Sequence, residues 1–151
     1  MCNSFEIHLP LDNDGYVLLK CPRCGEPFKI TSSDYNDDSV GNLWCPSCGL
    51  VSASYLTEDV VDLAMNMATD IFLKELHKEL KDLERKTRNS LVQIKAGKET
   101  HISYEDRLTS VVDALVVKHF SCCDRTAKVP VHISTSATYC PFCGVIHFET
   151  D

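Results

Sequence analysis

Nine cysteines in 151 residues are the first feature of this sequence that could do chemistry. Four of them form Cys21-Pro-Arg-Cys24-Gly25 and Cys45-Pro-Ser-Cys48-Gly49, two Cys-x-x-Cys turns separated by 20 residues. In such a turn the chain reverses so that both sulfurs point at one ion, and two turns complete a tetrahedron. The glycine after each second cysteine lets backbone approach the sulfurs closely. Four thiolates leave no position for a water, which describes a structural site and not a catalytic one.

The C-terminal end repeats the plan. Cys24-Gly-Glu-Pro-Phe-Lys-Ile30 aligns with Cys123-Asp-Arg-Thr-Ala-Lys-Val129, matching the cysteine, Lys29 with Lys128 and a closing Ile or Val. Trp44-Cys-Pro-Ser-Cys-Gly49 then falls beside Tyr139-Cys-Pro-Phe-Cys-Gly144. The middle of this second unit is four residues shorter, and Phe120 stands where the first unit has Cys21. Cys123, Cys140 and Cys143 are therefore three expected ligands, and the fourth comes from Cys122, His119 or His132. Cys122 is the choice carried forward, although adjacent side chains in a strand diverge and Cys122 with Cys123 needs an unusual local backbone. His119 keeps a usable gap of three residues before Cys123. His147 and Cys2 read as incidental surface or packing residues.

Residues Tyr16 to Tyr55 resemble the zinc-ribbon family. The resemblance implies two Cys-Pro-x-Cys-Gly knuckles at the tips of β-hairpins gripping one zinc, with Phe28-Lys29-Ile30 as a strand after the first knuckle. Trp44 before the second knuckle is also similar to rubredoxin, whose cage holds iron and carries an electron. A four-cysteine tetrahedron suits zinc or iron; aromatic residues at only 8 % and the helix that follows favour zinc. The whole arrangement resembles bacterial proteins with a zinc ribbon at each end and helix between, a likeness that implies no activity. Zn²⁺ is thus the expected cofactor, at two sites.

The elements that must position these residues follow from periodicity. Phe5 to Leu11 alternates, meets Asp12-Asn-Asp-Gly15 and continues as Tyr16-Val-Leu-Leu19, which predicts a hairpin. The Asp and Asn residues suit a turn, and the later ligands of a calcium loop are missing. From Thr57 the period changes. Val61, Ala64, Ala68, Phe72, Leu76, Leu80 and Leu83 recur every three or four residues, the pattern of one helix face. Thr57 caps the start, acids fill the first turns and Arg85, Lys86 and Arg88 the end. A helix from Thr57 to about Ser90 is expected, with Val60, Leu63, Met67, Ile71 and Leu73 widening the apolar surface of its first half. The narrow stripe beyond is covered by another chain or by packing against Tyr104 to Asp113. The fold class is α+β: two zinc-ribbon β-hairpin modules, residues 1–56 and 99–151, linked by a long helix and connector, residues 57–98.

Charge excludes some functions. The chain carries a net charge of −7, and its segments 1–73, 74–98 and 99–151 carry −8, +4 and −3. The single basic island lies on the predicted helix and the loop after it, where it most simply forms a solvated face. Nucleic-acid binding, through Arg23, Lys29 and Trp44 or through Lys74 to Lys98, is disfavoured by this balance. No HExxH, GK[ST] phosphate loop or GxSxG stands in the sequence, so an enzyme is not expected. No apolar run approaches the ~20 residues of a membrane span, and the start lacks a signal-peptide pattern. A cytoplasmic, non-catalytic adaptor is the expectation: two rigid ribbons held apart by a helix, mediating protein–protein interaction with a partner or a second copy. The alternatives are a nucleic-acid-binding ribbon and an iron electron carrier.

Overall fold

Strands form where apolar residues alternate, and in this chain the alternation builds one sheet from both ends of the sequence. The computed structural model describes residues 7–89, 91–101, 108 and 114–148. Strands β1 (Tyr16–Lys20) and β2 (Pro27–Thr31) pair antiparallel, with Val17 opposite Ile30 and Leu19 opposite Phe28. β2 runs into a one-turn helix, α1 (Ser32–Tyr35), whose first turn is capped by the Thr31 hydroxyl accepting the Asp34 N–H at 3.1 Å. The long helix α2 (Glu58–Thr87) follows. The pattern then recurs. β3 (Leu115–Phe120) and β4 (Arg125–Pro130) form an antiparallel hairpin, followed by a one-turn helix α3 (Val131–Ser134) and a small hairpin of β5 (Ala137–Tyr139) and β6 (Ile146–Phe148).

The two larger hairpins join edge to edge in the order β1-β2-β4-β3. At the seam Lys29 lies opposite Lys128 and Ile30 opposite Ala127. Since Lys29 and Lys128 are the matched residues of the two repeats, the halves face each other across a local two-fold, as two subunits of a symmetric dimer do. Opposed residues share a face. Val17, Leu19, Phe28, Ile30, Ala127 and Val129 therefore present one apolar surface, which with Phe120, Tyr55 and three buried cysteines makes a single core. The expectation that a helix holds the two ribbons apart is corrected by this seam. Each hairpin alone exposes two edges and has little apolar area, and pairing β2 with β4 covers one edge of each and merges their apolar faces.

Two like charges opposite each other would weaken the seam. Asp12 resolves the conflict: its Oδ2 accepts from Lys29 Nζ at 2.9 Å and from Lys128 Nζ at 2.8 Å. Lys29 is 5 % exposed in its side chain and Lys128 13 %. Burial would raise the Asp12 pKa, but Lys128, the Tyr16 N–H and Lys29 outweigh it and hold the carboxyl well below the ordinary carboxylate range. Lys128 also lies 4.7 Å above the Tyr16 ring, and the Tyr16 hydroxyl meets Thr126 Oγ1 at 2.9 Å. A further tie crosses the seam region, where Arg125 of the second repeat binds Asp34 at 2.8 Å and Asp37 at 2.7 Å in the first.

The Asp12 position comes from the predicted turn. Its Oδ1 accepts the N–H groups of Asp14 and Tyr16, and Gly15 takes a φ of +82° that favours glycine. The strand expected before this turn does not form over the described residues. Phe5 and Glu6 lie outside them, and only an isolated bridge joins Leu11 to Val17. Pro10 has no N–H to give a ladder, and β1 takes β2 as its partner instead.

Contacts place the sheet, drawn from Leu9–Glu58 and Leu108–Asp151, in one body, and Asp59–Arg107 in another. α2 has 30 residues, about 45 Å at 1.5 Å per residue, close to the expected span. Its buried residues are Val60, Leu63 and Asp70. The stripe chosen from the sequence points the other way, because Val61, Phe72, Leu76 and Leu83 are exposed. Two sets of residues at steps of three and four coexist in this helix, and it is the set expected only to widen the apolar face that supplies the buried Val60 and Leu63, with Met67, Ile71 and Leu73 half-buried.

After Thr87 the chain doubles back along α2. The Ile94 N–H donates to Thr87 Oγ1, the Ala96 N–H donates to Glu84 Oε2, and His101 lies 3.7 Å from Asp70. This return lies along the second half of the helix, for which the sequence offers packing against Tyr104 to Asp113 as one cover. Apart from Leu108, the latter segment lies outside the described residues. No helix among the described residues is long and apolar enough to cross a membrane.

Candidate metal centres

Each cysteine pair sits where a hairpin turns. In the first knuckle the Gly25 N–H donates to the Cys21 carbonyl at 2.8 Å and the Cys21 N–H to the Glu26 carbonyl at 3.0 Å. The same two bonds recur at Cys45, with Gly49 and Leu50, and at Cys140, with Gly144 and Val145. All three glycines have φ between +69° and +78°, the left-handed region that closes the turn. This geometry turns backbone N–H groups toward sulfur: Cys24 and Arg23 bond Cys21, Cys48 and Ser47 bond Cys45, and Phe142 and Cys143 bond Cys140.

The remaining knuckle is the irregular one. Phe120 is fully buried at the end of β3, and the sulfur that its repeat mate Cys21 would provide comes from Cys122. Asp124 takes the left-handed φ of +52° where the first repeat has Gly25, a conformation Asp tolerates better than most residues. Cys122 and Cys123 thus lie in a turn and not in a strand, which lets neighbouring sulfurs converge. His119 points its Nε2 at Asp124 Oδ1, 3.0 Å away, and His132 lies exposed in α3. Neither joins the cluster. Cys2 is outside the described residues.

The structure brings together Cys21, Cys24, Cys45 and Cys48, and separately Cys122, Cys123, Cys140 and Cys143, each set within 4.8 Å. Sulfur separations are 3.8 Å for Cys21 to Cys48 and 3.5 Å for Cys24 to Cys45. In the second set Cys123 lies 4.0 Å from Cys140 and Cys122 lies 3.4 Å from Cys143. These are far from the ~2.05 Å of a disulfide. They centre on the ~3.8 Å edge of a tetrahedron whose sulfurs stand ~2.3 Å from a metal. The donor set fits a four-coordinate, thiolate-bound ion at both places.

Burial shapes the thiols. It pushes Cys45 and Cys140 up, pushes Cys24 up in the same direction, and with neighbouring sulfurs raises Cys123 to about 11. At Cys21 and Cys143 burial acts the same way, but backbone N–H groups and neighbouring thiols together outweigh it and both end lowered. Metal-free cages therefore hold protons, and an ion that enters must displace them.

The second knuckles of the two repeats grip one another reciprocally. The Trp44 N–H donates to the Pro141 carbonyl at 2.9 Å, and the Tyr139 N–H to the Pro46 carbonyl at 3.0 Å. A Cβ built on Gly49 would stand 2.7 Å from the Tyr139 ring, and one on Gly144 2.7 Å from the Trp44 ring. These glycines serve two needs at once, the turn and the ring of the opposite repeat.

Sequence reasoning missed His147. Its Nε2 lies 3.1 Å from Cys122 Sγ, and its ring packs edge-on against Phe120 at 5.4 Å. The signal was present in the repeat alignment, which sets His147 opposite Ser52, three residues after the glycine of the knuckle. Comparison of the chain with protein-family models, curated proteins and solved structures finds no match.

Proposed function

We propose that this chain is a non-catalytic zinc-binding adaptor, a double zinc ribbon folded around two Zn²⁺ ions, whose long helix joins it to a second copy of itself. The observation that carries the metal reading is the spacing of the eight sulfurs, two tetrahedra without a vacant corner. A closed Cys₄ site cannot bind and activate water, so the ions act on folding and not on a substrate. Zinc, which has no redox chemistry, suits a purely structural role.

The association reading rests on the outward face of α2. Val61, Met65, Phe72, Leu76 and Leu83 are exposed there, Phe72 at 62 %. An apolar face of this kind calls for a cover. An antiparallel copy centred on Phe72 sets Val61 over Leu83 and Ala68 over Leu76. Charge selects that direction: residues 58–73 hold four acids and no base, whereas residues 74–88 hold six bases and four acids. Antiparallel pairing places the acidic half over the basic one, and parallel pairing places like on like. The net charge of −7 works against a phosphate-bearing partner.

Sedimentation equilibrium of the zinc-loaded chain checks this. The wild type is expected to dimerise with concentration, and Phe72→Glu to stay monomeric with unchanged circular dichroism. A wild type that is monomeric throughout would remove the helix from the proposal.

A further inference from the structure

We infer that His147 is an outer hydrogen-bond donor of the second metal centre, its Nε2–H held against the sulfur of Cys122 in the knuckle whose backbone turn departs from that of the other three. The inference rests on the reading that the second cage binds a metal.

Three regular knuckles surround their first cysteine with backbone N–H groups, as at Cys21, Cys45 and Cys140. The fourth knuckle departs from that plan. Cys122 enters the cage two residues later than the repeat calls for, and its turn is closed by the Cys123 N–H donating to the Phe120 carbonyl at 3.2 Å, without the pair of bonds that recurs at Cys21, Cys45 and Cys140. A thiolate in a cage of net charge −2 is stabilised by any N–H aimed at it. The His147 Nε2 lies 3.1 Å from the Cys122 sulfur, the place for such a donor in the Nε2–H tautomer. Its ring is fixed by the edge-on contact with Phe120, the same buried residue that displaced the expected cysteine. Loss of the ligand from the strand end and gain of a donor on β6 thus meet at one sulfur. In the first repeat the corresponding position is Ser52, and the corresponding sulfur Cys21 receives N–H groups of its own knuckle. His147 is a positioning residue and lies outside the four-sulfur set.

The test compares wild type, His147→Phe and His147→Gln, each loaded with zinc, during competition with a chromophoric chelator. Phenylalanine keeps the packing on Phe120 and removes the donor; glutamine keeps a donor. Loss of an outer-shell partner costs about 10–100-fold in metal affinity, so H147F is expected to release one of its two ions at least ~10-fold more readily while the other is unchanged. H147Q is expected to lie nearer the wild type. In the cadmium-loaded wild type, coupling between the metal and the His147 Nε2 proton through the Cys122 sulfur is expected, a measurement that does not depend on the folding of any variant. Two ions released alike from H147F and wild type would overturn the inference alone, as would a direct metal–nitrogen coupling at His147. A wild type that takes up no metal would overturn the metal reading and this inference with it.

Discussion

Cys45→Ser is expected to empty the first cage and to unfold the whole sheet body, not the first ribbon alone. Cys45 is fully buried and shares one core with Cys140, Phe120 and Val129 of the other repeat. Structural zinc contributes about 10–16 kcal/mol of apparent binding free energy, against a total stability of about 5–15 kcal/mol for an ordinary domain. Removing one thiolate also leaves the cage three-coordinate, with Cys21 still buried beside the gap. Because β2 and β4 are one ladder, the second repeat then loses its neighbour as well. Elemental analysis should give at most one zinc per chain, and amide NMR should show collapse of dispersion in both repeats. Two ions retained, with dispersion intact, would contradict the assignment of Cys45. Loss confined to residues of the first repeat would contradict the shared core.

Asp12→Asn is expected to cost about 3–5 kcal/mol, the range for breaking a buried charge pair by removing one partner. The substitution leaves Lys29 and Lys128 facing each other across the seam with their common counter-ion gone. Adding Lys128→Met to the variant removes the repulsion and should recover part of the loss, which is the signature of coupling in a double-mutant cycle. The sign of the pH dependence is fixed by the depressed Asp12 carboxyl. Its contribution is fully present above the ordinary carboxylate pKa and disappears as pH falls through and below that range. The difference between wild type and D12N in urea unfolding should therefore be constant from pH 6 to pH 8, on the order of the values above. A variant as stable as wild type would show that the seam does not depend on the Asp12 charge.

The cages were legible in the sequence because a Cys-Pro-x-Cys-Gly turn is local: its geometry is set by five consecutive residues and one left-handed glycine. The repeat was legible for the same reason, and Asp124 at the place of Gly25 confirms its register in the backbone. The seam was not, because pairing between β2 and β4 joins residues about a hundred positions apart and leaves no periodicity to read. The match of Lys29 with Lys128 was visible, but two lysines at equivalent places look like two exposed cations until Asp12 is placed between them. α2 starts one residue after the expected Thr57 and ends three before the expected Ser90. Its buried side was misassigned because Val60, Leu63 and Met67 form a second apolar row beside the chosen one, and spacing alone does not rank two rows. His147 was set aside as incidental because its partner Cys122 arrives from a turn 25 residues earlier in the chain.

The most direct measurement is metal per chain together with thermal unfolding before and after exhaustive chelation under reducing conditions. The account predicts two zinc ions per chain, and loss of the cooperative transition when they are removed. A chain that carries no zinc as purified, or that melts unchanged once stripped, would contradict it.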